Sequence, residues 1–267
     1  KDASFANVGG AFYVLGAVMA EDAKGHENAG ERQTLHLIAS RYLEEARIRG
    51  FPEGYEKEGL LLLGRSLHQG GRFQASIPIL KEALSQNLSA KGEILYLLAD
   101  AYLHLTPPNL EQASAQTRRL LAEKHLPQAE RDRGLLLQAK VALAQGNYHD
   151  GQKALEKISP KSIVHAEGML LSVRLLCEEL FAAEGNPTAQ DQAALKKSLK
   201  TLADLGKQTR RETDLPSQAD LLTALCLELL GKSPEATAAY AHVRKARFGS
   251  PEAVAAAFFE AGYLLRS

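Results

Sequence analysis

Few residue groups in this chain have the type and spacing that chemistry requires. The tripeptide Gly231-Lys232-Ser233 matches the end of a phosphate-binding loop, but that motif needs a glycine five residues earlier, where Cys226 stands, and a preceding strand. A turn between helices is the better reading. His149 and Asp150 are adjacent in "YHDG", at the expected start of a helix, where a carboxylate interacts favourably with the unpaired amide groups. The eight histidines are scattered, with no pair at i and i+4, and there is no HExxH or GxSxG. The residues therefore predict no catalytic site, no cofactor and no metal centre.

Composition narrows the partners. Lys plus Arg and Asp plus Glu both number 32 in 267 residues, so no global field draws the chain to nucleic acid or an anionic surface. Any charge recognition must be local. The two cysteines, Cys177 in "LLCEELF" and Cys226 in "ALCLELL", sit in apolar helical contexts and predict buried free thiols, not a disulfide framework. Phe5 to Ala20 carries no charge but is shorter than the roughly 20 residues a membrane-spanning helix needs, so a packed helix is expected, with no direct insertion. The first residue is Lys1, which suggests a processed or trimmed chain; the compartment, cytoplasmic or extracytoplasmic through an upstream tether, stays open.

What the polar inventory lacks, internal repetition supplies. Around Gly71 in "GGRFQASIPILKEAL", Gly64 lies seven residues before, Ser76 five after, Leu80 nine after and Ala83 twelve after. The same offsets from Gly146 give Ala139, Gly151, Leu155 and Ile158, and from Gly231 they give Ala224, Ala236, Tyr240 and Val243. A further copy carries Ala99 and Tyr102, then Ala113 and Thr117 after a turn lengthened by "TPP". A more divergent copy offers Phe12, Leu15, Gly16 and Met19, then Ala39, Leu43 and Ala46. Spacings of three and four place each set on one helix face. The pattern predicts paired helices with small residues where they approach, and with a left-handed glycine ending each first helix. Phe73 or Tyr148, two residues beyond the glycine, is placed to wedge the turn. Pro78 falls near the start of a second helix, where it predicts a slight bend without a break.

The stretch "GLLLLGRSLHQGGRFQASIPILKEAL" resembles the tetratricopeptide repeat, a helix-turn-helix unit of about 34 residues. Leu60, Leu63, Gly64, Leu67, Gly71, Phe73 and Ala83 fall on its signature positions; Leu60 replaces the usual tryptophan and Ser76 the usual alanine. The resemblance implies an all-α, right-handed superhelix of antiparallel helix pairs. Its expected organisation is a divergent helix pair over 1–52, repeats over 53–160, a degenerate pair over 161–216, and a repeat plus capping helix over 217–267, in one continuous solenoid. About six pairs and a terminal helix follow.

In this family the first helices of successive units line a concave groove. Projected onto the sequence, the residue after each small position gives Arg65, Asp100, Lys140 and Arg174. His68, Gln69 and His104 lie about a turn further on, and Tyr96, Leu136 and Arg133 a turn or so earlier. The resemblance thus implies a non-enzymatic scaffold holding a peptide or protein segment through these residues, with Arg suited to carboxylates and Tyr96 to apolar contact. The alternative is an architectural module of a larger tethered or secretion-related protein, its groove filled by its own neighbouring segments.

Overall fold

The computed structural model describes residues 3–86, 90–183, 185–208 and 215–266, and among these every regular element is helical. The chain divides into two units, residues 1–141 and 142–267.

Unit 1 begins with α1 (Ala3–Asp22) and α2 (Ala29–Arg49), followed by α3 (Glu56–Gln69), α4 (Phe73–Gln86), α5 (Lys91–Leu103) and α6 (Leu110–Leu121); α7 (Gln128–Ala144) crosses the division. From α1 to α6 each helix packs on the next, and in addition α1 touches α3 and α3 touches α5; Gly134 of α7 lies against Leu120 and Leu121 of α6. First helices therefore form one layer of unit 1, while the second helices α2 and α4 are linked by the Arg47–Glu82 ion pair.

The repeat frame explains this arrangement residue by residue. Leu63, Leu67 and Leu80 are fully buried with Ala83, and a methyl group at Gly64 would lie 2.6 Å from Leu80 Cδ2. Only glycine lets α4 approach α3 that closely. Gly16 does the same for α1, facing Leu43 of α2 at 2.6 Å; Leu15, by contrast, points outward. Ser76 is buried, and its hydroxyl donates to the Phe73 carbonyl at 2.8 Å, so its polar atom is paired. Pro78 is the sixth residue of α4, beyond its first turn, and the helix continues through it.

The turn glycines show the same backbone in three places. Gly71, Gly146 and Gly231 have φ of 76°, 72° and 69°. At each, the glycine N–H donates three residues back, to His68, Leu143 or Glu228, and the next N–H donates five back, to Leu67, Ala142 or Leu227. These are Schellman ends, which pair the orphan carbonyls of the last helical turn and need a left-handed residue at the glycine.

Unit 2 contains α8 (Tyr148–Leu155), α9 (His165–Ala182), α10 (Ala189–Gln208), α11 (Leu215–Leu229), α12 (Ser233–Ala246) and α13 (Pro251–Arg266). Again consecutive helices pack, and α9 touches α11 and α11 touches α13. Ala224, Ala236, Tyr240 and Val243 are fully buried, and Tyr240 donates its hydroxyl to Glu228 at 2.6 Å. Gly151 admits Leu175, whose Cδ1 would lie 2.9 Å from an added methyl. Thr188 and Asp191 exchange bonds at the start of α10, and Ser250 accepts from Ala253 N–H at 3.1 Å, with Pro251 opening α13. The degenerate stretch thus keeps its helix pair through capping chemistry where the repeat signature fades. Cys177 and Cys226 are free and buried, on α9 and α11.

The chain is accordingly an all-α protein of thirteen described α-helices, packed in succession from α1 to α6 and from α8 to α13, an architecture of helical-repeat type. No described helix is long and apolar enough to cross a membrane.

Candidate functional site

The polar residues of the first-helix layer in unit 1 bond to one another across helices. Arg65 on α3 donates from Nε and one terminal nitrogen to the two oxygens of Glu93 on α5, at 2.7 and 2.9 Å. This is the bidentate geometry that a planar guanidinium makes with a carboxylate. One turn further along, His68 of α3 meets Asp100 of α5, its Nε2 lying 2.9 Å from Oδ2.

Asp100 serves a second ring. His104 follows the last turn of α5, and its Nδ1–H donates to the Asp100 carbonyl at 2.9 Å while lying 3.4 Å from the carboxylate. Phe73, the residue just after the Gly71 turn, packs edge-on against His68 at 5.2 Å between ring centres and stacks on His104 at 4.8 Å. The aromatic does more than wedge its own turn: it holds the imidazoles of two successive first helices against one carboxylate.

The electrostatics follow from this burial. The Asp100 side chain is only 12% exposed. Burial works to raise its pKa, but hydrogen bonds from His104 and His68 overcome it and hold the carboxyl far below the usual range. The bond to the Asp100 side chain raises the pKa of His104 against its partial burial, with Lys140 of α7 pulling the other way. Lys140 is therefore near enough to be felt. Behind this layer, His36 of α2 is buried, and its pKa is lowered first by burial and then by Arg65, Arg32 and Lys24. His68 Nδ1 is buried with no hydrogen-bond partner among the described residues.

Of the sequence-derived groove residues, unit 1 holds Arg65, His68, Gln69, Tyr96, Asp100, His104, Arg133 and Lys140. The structure bonds Asp100 to both histidines and engages Arg65 with a carboxylate that the sequence frame did not single out. Gln69, His104 and Arg133 are exposed, Tyr96 is half-buried against the core, and Leu136 is inside it. Arg174 belongs to unit 2, where its Nε lies 3.6 Å from Glu178, four residues along its own helix.

Two charged side chains of α2 also reach other segments: Glu44 meets Arg72 in the turn before α4, and Arg47 meets Glu82 on α4. Elsewhere in unit 1 a cleft of about 630 Å³ opens between Lys91, Glu123, Lys124, His125 and Glu130, with Lys91 and Glu123 paired across it at 2.7 Å. It contains none of the groove residues. Among the described residues no group of three or more His, Cys, Asp or Glu side chains could hold a metal ion.

Glu93 and Phe73 were the missed members. A usable signal existed for Glu93: it precedes Asp100 by seven residues, hence on the same face of α5. The chain matches no protein-family model, and no curated sequence is significantly similar to it.

Proposed function

We propose that the chain is a non-enzymatic protein-interaction scaffold of the tetratricopeptide type, taking a peptide or protein segment along the first-helix layer of unit 1. The observation that supports this reading is the pair of cross-helix links, Arg65 to Glu93 and His68 to Asp100, which fix polar side chains on one layer beside half-buried Tyr96. A surface ordered before binding loses less side-chain freedom when a partner arrives, so more of the contact energy appears as affinity.

The pairing of Arg65 alters what the partner should look like. Its charge is matched by Glu93, so the layer offers hydrogen bonds and an apolar platform in addition to cationic heads, and Arg133 supplies exposed positive charge. An elongated segment with mixed polar and acidic character suits this surface. Tyr96 is its apolar anchor.

The test is capture of a partner from native extract with the full chain, followed by titration of the isolated partner. Tyr96→Ala is expected to weaken binding about 30-fold, the loss of a buried aromatic anchor. Arg133→Ala is expected to weaken it less than about fivefold, as an exposed charge does. If the combined Gln69, Tyr96, His104 and Arg133 to alanine variant, still helical by circular dichroism, binds as tightly as the wild type, the assignment to this layer is wrong.

A further inference from the structure

Cys177 on α9 and Cys226 on α11 are the chain's two cysteines, and their sulfurs lie 3.7 Å apart in the core of unit 2. They come from first helices 49 residues apart, with all of α10 between them in sequence. The side chains are 1% and 0% exposed and packed with Val173, Leu222, Leu225 and Tyr240. Chance placement of two cysteines in one chain rarely brings sulfur against sulfur. The contact brings the two sulfurs within van der Waals reach of each other across two helices, the proximity a disulfide needs.

We propose that Cys177 and Cys226 are a disulfide-forming pair, a covalent link between α9 and α11 that the native packing of unit 2 accommodates and a small two-electron oxidant such as hydrogen peroxide can close. The sulfurs must approach by somewhat under 2 Å to reach the bonded distance of about 2.05 Å, which rotation about the side-chain bonds and a small helix shift supply. In the first step one thiolate attacks a peroxide oxygen, forming S–O as O–O breaks, and hydroxide leaves. In the second the other thiolate attacks that sulfur, forming S–S as S–O breaks, and a second hydroxide leaves. The two thiol protons join the hydroxides, so two thiols are oxidised and one peroxide is reduced to two waters.

The surroundings set the rate and the persistence of the bond. A hydrogen bond with Cys226, then burial, pushes the Cys177 thiol well above its usual range, so thiolate is scarce and closure is slow. The same burial shields a formed disulfide from reducing thiols. In the chain-entropy model, a bridge over this separation restricts the unfolded chain enough to favour the folded unit about a thousandfold.

The experiment uses the full chain. Folded protein is treated with hydrogen peroxide, then unfolded with a thiol alkylator and weighed intact. The expected product is monomeric, lighter than the reduced protein by two hydrogens and unalkylated, with a non-reduced peptide map joining the segments around 177 and 226. Its Tm should rise on the order of 10 °C and fall back with dithiothreitol. Because burial alone could keep peroxide out, a parallel sample is unfolded and refolded with oxidised glutathione, and Cys226→Ala, which has no partner thiol, should give no bridge in either arm. A bridge in the refolding arm alone supports the pairing and refutes closure within the folded unit. Absence of an intramolecular bridge in both arms, uptake of oxygen or glutathione by the separate sulfurs, or a bridged form that melts below the reduced one would each overturn the proposal.

Discussion

Replacing Asp100 with asparagine removes the one charge that holds two imidazoles of unit 1, and its effect should depend on pH. The carboxylate is nearly buried and lies within 2.9 Å of His68 Nε2 and 3.4 Å of His104 Nδ1. A hydrogen bond to a charged group contributes about 1.5–3 kcal/mol net, and asparagine retains one neutral acceptor worth about 1 kcal/mol. A loss of about 2 kcal/mol is therefore expected near pH 5.5. Asp100 has a folded pKa below its unfolded value, so its contribution is present above about 4 and lost as pH falls through the folded value. His104 has a folded pKa above its unfolded value, so its contribution is complete below about 6.5 and lost as pH rises through the folded value. Both act fully between those limits. Once pH passes its folded value His104 is neutral and the ion-pair share disappears; since that ring is 47% exposed, the share is only about 0.5 kcal/mol. His36 works against this trend, because its lowered pKa gives stability present above about 6.5 and lost as pH falls. The wild-type profile alone mixes the two. The difference between wild type and Asp100→Asn cancels His36, and should shrink by about 0.5 kcal/mol from pH 5.5 to 8.5. Urea unfolding read by pulsed amide exchange on peptides from α3 to α5 measures unit 1 apart from unit 2. A loss below about 0.5 kcal/mol at pH 5.5, or one that grows towards pH 8.5, would refute the reasoning.

Other substitutions probe the frame that positions this cluster. Gly64→Val forces a branched side chain against buried Leu80 and should cost about 2 kcal/mol or more, measured as a lower urea midpoint for unit 1. Gly146→Ala and Gly231→Ala meet no atom within 4 Å, so each should cost about 1–2 kcal/mol from left-handed backbone strain alone, seen as a lower Tm with helix content unchanged. Tyr240→Phe deletes the hydroxyl bonded to Glu228 in an otherwise unchanged core, and thermal melts should report a loss of about 1.5 kcal/mol.

The helix pairs were legible because their causes are local. A glycine that must be left-handed, and small residues seven before and five after it, leave a pattern in the chain wherever the same turn and the same close approach are needed. Gly71, Gly146 and Gly231 share that pattern and share their hydrogen bonds. The polar residues of the first-helix layer were legible only as positions. Their partners were not, because a bond such as Arg65 to Glu93 joins helices 28 residues apart and depends on how α3 and α5 align. Once Gly64 and Ala99 are known to occupy equivalent sites 35 residues apart, the offsets of 28 and 32 for Glu93 and Asp100 follow as two turns and one turn less than a repeat step. The cysteine contact was less accessible still: the apolar settings announced burial, and only the packing of α9 on α11 brings the sulfurs together.

Each Schellman turn closes its hydrogen bonds within a window of six residues and asks nothing of the next helix pair. The number of pairs is therefore not set by the turns, and an array built on them can gain or lose a pair by duplication or deletion without stranding a backbone group. What limits such editing is the side-chain links between first helices. Any pair inserted after α4 would have to bring its own carboxylates at the offsets of Glu93 and Asp100, or leave Arg65 and His68 facing a helix that cannot answer them.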